Sequence, residues 1–476
     1  MTFLKYILTV LVLATSFSCQ KTVKIQKKKN ILLLCIDDLR PELASFGKTY
    51  IHSPNIDTLA KKGRAFHNHY VNSPSCGPSR YSLLTGTYGT FKNDAIFKRA
   101  KKLKSEPNYV TVSMPEWFKQ NGYTTVSVGK VSHHPGGLGG QDWNDPNIVE
   151  LPNAWDKSLM PVAEWQHPKG SMHGLANGEI RSKVKSTMDV FQSVEGEDTI
   201  YPDGHITSEA LNQLNSLSTL EKPFFLAVGL IKPHLPFGSP KKYMSFYDKV
   251  DIPEPQNTDK PQHPSTWHKS GEFFRYNLWE KDPRTDKAFA HDVRLHYASC
   301  VSYVDANVGK IISGLKALNL GNNTIIVLWG DHGWNLGEHN IWGKHNLFEE
   351  ALRSPLIIID PSLEHAGKKT NAIVETVDLF PTLCDLTKIE TPDFVDGVSL
   401  KPILDNPNSK GHYAYSYNGG GKTIRTESYR FTKLKSGDYE LYNHIEDPDE
   451  VSNIAHSNPE IIKELEILLN KKEAIH

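Results

Sequence analysis

Four short apolar runs, each ending in a polar cluster, constrain this chain more than any other feature. Ile31–Ile36 ends at Asp37-Asp38, and Thr124–Val128 ends at Gly129-Lys130 with His133 and His134 just behind. Phe224–Val228 ends at Gly229 and leads into Lys232-Pro233-His234, while Thr324–Trp329 ends at Gly330-Asp331-His332-Gly333. Apolar runs of this length with little alternation predict strands buried on both faces. Helical patterns lie between them, for example Ser302–Leu318 and Val377–Leu386. The expectation is an α/β fold: a mixed, mostly parallel sheet sandwiched by helices. Ligands bind such sheets beyond the carboxyl ends of the strands, so all four polar clusters are expected to meet at one site.

The chain has 476 residues, enough for two to three domains, and the pattern changes near residue 409. There His412–Tyr417 alternates, Gly419-Gly420-Gly421 makes a turn, and Tyr429–Leu434 and Tyr439–Tyr442 read as further strands. A last helix begins with Asn458 as cap and Pro459 at its first position, with a stripe of Ile461, Leu465, Leu468 and Leu469. We therefore expect a catalytic region over 31–408 and a smaller α+β subdomain with an antiparallel sheet over 409–476. No internal repeat is visible. The 54 Lys+Arg balance the 54 Asp+Glu, which argues against a broad basic face and against nucleic acid as partner.

The amino terminus reads as an address. Lys5, then the apolar run Tyr6–Ala14, then Thr15-Ser16-Phe17-Ser18-Cys19 form an export signal too short to span a bilayer. Residues 1–19 are the expected signal and 20–30 a polar tether. Cys19 directly after the small residues looks like a bacterial lipoprotein site; the plainer alternative is an ordinary cleaved signal. Either way the expected location is exported, periplasmic or lipid-anchored. No other segment is expected to touch a membrane.

Asp37-Asp38 read alone is more often a cap or turn than a site. Asp331 and His332 at an equivalent strand end change that balance, because buried carboxylates repel one another unless a cation sits between them. Such a donor set suits a hard cation, Ca²⁺ ahead of Mg²⁺. His339 and His345 hint at zinc, but no sulfur ligands accompany them. Of the five cysteines, too few and scattered for a disulfide framework, Cys35, Cys300 and Cys384 lie in apolar runs and read as inert core thiols.

Cys76-Gly77-Pro78-Ser79-Arg80 precedes Tyr81-Ser82-Leu83-Leu84-Thr85-Gly86. By itself it is a cysteine beside an arginine, a thiol with a lowered pKa. As a string it resembles the sulfatase signature, in which the cysteine is oxidised to formylglycine by a dedicated maturase. Gly330–His339, Trp342–His345, Gly129–His133, Lys232–Phe237 and Val301–Asp305 look most like the iduronate-2-sulfatase branch. The resemblance covers nearly the whole mature chain and implies an alkaline-phosphatase-like fold. It implies Asp37, Asp38, Asp331 and His332, with the modified Cys76, as metal ligands. It implies Arg80, Lys130, His133, His234 and Lys344 as the charged catalytic set. His134 and His345 are read as structural neighbours. Two departures stand out: His332 replaces the Asn of many relatives, and Thr87 replaces an arginine, leaving a hydrogen-bonding role near the signature loop unassigned.

For a sulfate monoester the chemistry follows from the residue types. The cation, Arg80, Lys130 and Lys344 would hold the sulfate oxygens. A plain serine or cysteine would attack once and stay sulfated, whereas a hydrated aldehyde has a second hydroxyl. By resemblance, His234 with Lys344 would protonate the leaving sugar oxygen and His133 would deprotonate the second hydroxyl. The loops 141–180 and 251–290 carry Trp143, Trp155, Trp165, Trp267, Phe273, Phe274, Arg275 and Trp279. These either pack the loops or form a rim for sugars and uronate carboxylates. The expected substrate is a sulfated oligo- or polysaccharide containing uronate. Two rivals are a phosphoester or phosphonate-monoester hydrolase of the same superfamily and a catalytically inactive glycan-binding lipoprotein.

Overall fold

The computed structural model describes residues 28–106, 108–109, 111–259 and 270–475. The expected signal, residues 20–27 of the tether and Trp267 lie outside the described residues. Eight strands form the central sheet. They are β1 Asn30–Ile36, β2 Arg64–Tyr70, β3 Thr124–Gly129, β4 Lys157–Leu159, β5 Phe224–Leu230, β6 Thr324–Gly330, β7 Leu356–Ile359 and β8 Lys369–Glu375. Their order is β8-β2-β7-β6-β1-β5-β3-β4, and only β7 runs antiparallel to its neighbours.

The four runs singled out in the sequence are four adjacent parallel strands, β6-β1-β5-β3. Ile36 pairs with Gly330 on one side and Leu230 on the other, and Gly129 pairs with Gly229. Successive side chains point to opposite faces. Leu32, Leu34 and Ile36 therefore enter one core with Leu226, Val228 and Leu328. Ile31, Leu33 and Cys35 enter the other with Phe225, Ala227 and Val327. Both faces are covered, which is why the runs do not alternate. β2 and β8 escaped notice because their sequences are polar; Arg64 at the start of β2 is fully buried and its guanidinium donates to the carbonyls of Lys368 and Leu404, at 2.7 Å each.

Helix α1, Cys76–Thr85, opens at the sheet's carboxyl edge. Helix α2, Lys287–Ala317, is much longer than the stretch expected from Ser302. Its first turns continue the same buried stripe through Phe289, Val293 and Tyr297, and Asp286 caps it by accepting the Phe289 N–H at 2.9 Å. The expected helix at Val377–Leu386 is a short 3-10 turn, Thr376–Asp378, running into helix α3, Leu379–Thr387.

The smaller antiparallel sheet consists of β9 Ala414–Tyr417, β10 Gly421–Arg425, β11 Tyr429–Leu434 and β12 Tyr439–Asn443. The last helix, α4 Pro459–Ile475, lays Leu465 and Leu469 on Tyr415, Ile424, Phe431 and Leu441. Asn458 turns its amide back to the Ile454 carbonyl at 2.9 Å. Buried charge ties this sheet to the main one: Arg430 pairs with both Glu349 and Glu450, and Lys472 with Glu375. No described helix is long and apolar enough to cross a membrane.

Candidate active site

Asp37 and Asp38 follow β1, and Asp331 follows β6, the neighbouring strand. The Asp38 N–H donates to Asp331 Oδ1 at 2.8 Å, so the two strand ends are laced together. Gly129 closes β3 with a φ of 79°, and a Cβ there would lie 2.3 Å from the Gly229 carbonyl oxygen. Only glycine permits this close turn, and it delivers Lys130 to Asp37, with which Lys130 forms a buried ion pair.

Cys76 is the first residue of α1. Asn93 Oδ1 accepts from Ser75 Oγ at 2.8 Å and from the Gly77 N–H at 3.1 Å. A Cβ on Gly77 would stand 2.4 Å from Asn93 Cα, which makes glycine necessary here. Asn93 therefore fastens the loop, while Thr87, at the departure noted in the sequence, bonds Thr85 Oγ1 at 2.9 Å. Ser79 Oγ donates to the Asp331 carbonyl. Arg80, one turn after Cys76, places Nη2 3.1 Å from Asp37 Oδ1 and Nε 3.0 Å from Asp331 Oδ2, all fully buried.

The Cys76 sulfur faces His332 Nε2 at 3.3 Å, Lys344 Nζ at 3.2 Å and Asp38 Oδ1 at 3.9 Å. Lys344 also lies 2.7 Å from Asp38 Oδ1. His234 Nδ1 sits 2.7 Å from the Leu235 carbonyl, so Nδ1 carries the proton and Nε2 is left as an acceptor. The same logic applies to His332, whose Nδ1 donates to the Gly333 carbonyl at 3.0 Å. Every residue expected at the site, namely Asp37, Asp38, Cys76, Arg80, Lys130, His133, His234, Asp331, His332 and Lys344, surrounds this one pocket or its floor.

The cavity above Cys76 has a volume of about 370 Å³. His133, Trp143, His173, Arg181, Lys185, Glu272, Arg275 and His345 line it. His345 lines the cavity wall while its backbone bonds the Pro74 carbonyl and the Asn418 amide. His134 pairs with Glu150 at 3.2 Å, as a structural histidine does. Glu272 was not anticipated; it stands 3.6 Å from both His234 Nε2 and Lys344 Nζ. His173 and Asn93 were missed as well, because nothing local marks them. Of the loop residues singled out in the sequence, Trp143 and Arg275 reach the cavity. Trp165 and Phe273 are fully buried as loop packing, and Phe274 and Trp279 are exposed. Trp155 packs against the core face that includes Phe225.

Burial governs the electrostatics. Burial and the Asp37 charge push the Asp331 carboxyl well above the usual range. Asp38 rises to about 7 through burial, despite the opposing Lys344 and with the Asp37 charge adding to the rise. For Asp37 the burial penalty is outweighed by the charges of Lys130 and Arg80, which hold it low. Burial and the Asp37 charge raise the Cys76 thiol well above its usual value, so the unmodified thiol is a poor nucleophile. Burial, then Lys344 and Lys130, keep His234 neutral. Burial likewise lifts Cys35, Cys300 and Cys384 to about 12, which leaves them inert.

These residues fit a divalent cation. Asp38 Oδ2 is buried with no hydrogen-bond partner among the described residues. Ligand atoms of Asp37, Asp38, Cys76 and His234, and of Asp37, Cys76, Asp331 and His332, lie within 4.8 Å of one another. Crowded, partly protonated carboxylates with a spare oxygen are what a hard cation would relieve.

Comparison with known proteins agrees. A family model described as sulfatase matches residues 29–389, and one described as N-sulphoglucosamine sulphohydrolase, C-terminal, matches 337–474. Iduronate 2-sulfatase of Mus musculus is 34% identical over 396 residues, covering 76% of this chain and 69% of that protein. Among solved structures, one of a protein in complex with its substrate D-glucosamine-2-N,6-O-disulfate superposes with a TM-score of 0.72 at 23% identity, covering 94% of this chain and 98% of the other. The phosphonate monoester hydrolase of Agrobacterium radiobacter does so with a TM-score of 0.73 at 20% identity, covering 94% and 96%. The fold is the alkaline-phosphatase-like one, and the chain belongs to the sulfatase family of sulfuric ester hydrolases.

Proposed function

We propose that this chain is an exported sulfatase that removes sulfate from a uronate-containing glycan, using a formylglycine made from Cys76 and a bound Ca²⁺. The observation that carries the reading is the position of Cys76: at the cavity floor, 3.2 Å from Lys344 and 3.9 Å from Asp38 Oδ1, the other oxygen of that carboxylate having no hydrogen-bond partner among the described residues. The glycan follows from the names of the relatives, which act on iduronate and glucosamine sulfates, and Ca²⁺ over Mg²⁺ from the crowded, irregular oxygen set. Export follows from residues 1–19, with Cys19 as the lipidated residue; no labelled palmitate on the wild type would reject the lipid anchor, and label retained in a Cys19→Ser variant would reject Cys19 as its site.

When present, the cation would offset the carboxylates and polarise a sulfate oxygen, and the hydrated aldehyde would supply the attacking hydroxyl and a second one for release. The chain's own residues do the rest. Lys344 lines the cavity and Lys130 lies buried against Asp37 beneath it, and both stabilise charge on the sulfate. His234 enters as a neutral acceptor at Nε2; an incoming sulfate offsets the Lys344 and Lys130 charges that hold its pKa down, so it can take up the proton that the leaving oxygen needs. His133 is also held neutral by burial, Lys130 and His134, as a base must be.

The test uses enzyme made with its maturase. Peptide mass spectrometry across Ser73–Arg80 should show an aldehyde at position 76. Aryl sulfate should turn over faster than aryl phosphate, and Cys76→Ala should abolish turnover with unchanged circular dichroism. Intact cysteine in active enzyme refutes the mechanism. A strong preference for phosphate favours the phosphonate-hydrolase rival, and tight glycan binding without turnover at full conversion favours the inactive binder.

A further inference from the structure

The cations at the cavity floor all have partners. Arg80 pairs with Asp37 and Asp331, Lys130 with Asp37, and Lys344 with Asp38 and Glu272. The wall of the same cavity carries Arg181, Lys185 and Arg275, and none of these forms an ion pair among the described residues. Glu272, the carboxylate lining that cavity, lies 3.6 Å from Lys344 and from His234. Arg181 is braced for contact: its Nη1 donates to Tyr276 Oη at 2.8 Å and its guanidinium lies 5.4 Å from the centre of that ring. Arg275 ends a short turn, Phe273–Arg275, anchored by the fully buried Phe273. Burial, then the charges of Arg181 and Arg275, lower the Lys185 pKa, so the three cations sit close enough to repel. Glu272 offsets these charges only in part, since it also faces Lys344, and a crowd of like charges on the wall of an anion-binding cavity is costly unless an anion arrives with the ligand.

We infer that Arg181, Lys185 and Arg275 form a second anion subsite, which reads a carboxylate or a further sulfate on the sugar whose ester is cleaved at Cys76. The inference rests on the sulfatase reading above and narrows it: the preferred substrate carries two negative groups.

The experiment measures kcat and KM of matured wild type, Arg181→Gln, Lys185→Gln and Arg275→Gln on four substrates. These are 4-nitrophenyl sulfate, a uronate sulfate disaccharide, the same disaccharide with its carboxylate reduced to an alcohol, and a disulfated hexosamine disaccharide. Each variant should lose about tenfold more kcat/KM on its doubly charged substrate than on 4-nitrophenyl sulfate, mostly through KM, as loss of one charge-assisted contact implies. Added salt should raise KM for the doubly charged substrate more steeply in wild type than in the variants. The reduced disaccharide separates carboxylate from sulfate: a large wild-type drop on reduction assigns the carboxylate, and preference for the disulfate assigns the sulfate. Equal losses on all substrates, or a wild type that cleaves 4-nitrophenyl sulfate with no preference for any doubly charged substrate, overturn the subsite. A matured wild type inactive on every sulfate would instead overturn the sulfatase reading.

Discussion

Arg80→Met keeps an unbranched apolar stem and removes the guanidinium, which tests what that charge does beneath the site. In the structure it stands 3.1 Å from Asp37 and 3.0 Å from Asp331, with all three side chains fully buried. At an effective dielectric near 20, each contact at that distance is worth roughly 5 kcal/mol before desolvation is subtracted. Breaking a buried pair by deleting one partner costs about 3–5 kcal/mol, because the other charge is left stranded. The lower end of that range is expected, since burial already drives Asp331 toward its protonated form. The assay is equilibrium urea denaturation in chelator and again in excess Ca²⁺. In chelator the variant should lose about 3 kcal/mol; with cation the loss should shrink, because the ion supplies part of the missing positive charge. Adding Asp331→Asn should recover some of it, with a coupling of about 1–3 kcal/mol. A change below roughly 0.5 kcal/mol in chelator, or strict additivity of the two substitutions, would refute the view that Arg80 neutralises the paired strand ends.

Chelation should abolish turnover of matured enzyme, and Ca²⁺ should restore it at lower concentration than Mg²⁺; full activity in chelator would reject the cation site. The contact between the 3-10 turn Thr376–Asp378 and the segment that leads into β9 should be pH-sensitive. His412 Nε2 lies 2.8 Å from Asp378, and although burial alone would lower its pKa, Asp378 and Glu375 raise it to about 9 from 6.5. Because the folded value is the higher one, this contribution of about 3 kcal/mol is complete below pH 6.5 and is lost as pH rises through 9. His412→Gln should flatten the stability profile across that interval, and a slope unchanged by the substitution would sink the assignment.

Much of this molecule is written locally. The apolar runs of β1, β3, β5 and β6 announce strands covered on both faces, and the polar residues behind them announce a site, because parallel pairing leaves no other place for those clusters to go. The string Cys76–Arg80 is equally legible, since its glycine, proline and serine each answer a short-range demand of the turn into α1. Polar β2 and β8 were not, because what makes them strands is pairing with partners distant in the chain. The start of α2 and the packing role of Trp165 and Phe273 were likewise settled by what those residues meet after folding.

The amino-acid sequence by itself determined the four central strands, the residues at their ends and the family, because those depend on patterns within a few residues of one another. Only the tertiary structure decided that Glu272, His173, Arg181, Lys185 and Asn93 share a wall with Cys76, that Arg80 works under the floor, and that Asp38 keeps a spare oxygen. Charge and desolvation act through distance in space, and a loop closing over a sheet edge sets distances that no spacing along the chain records.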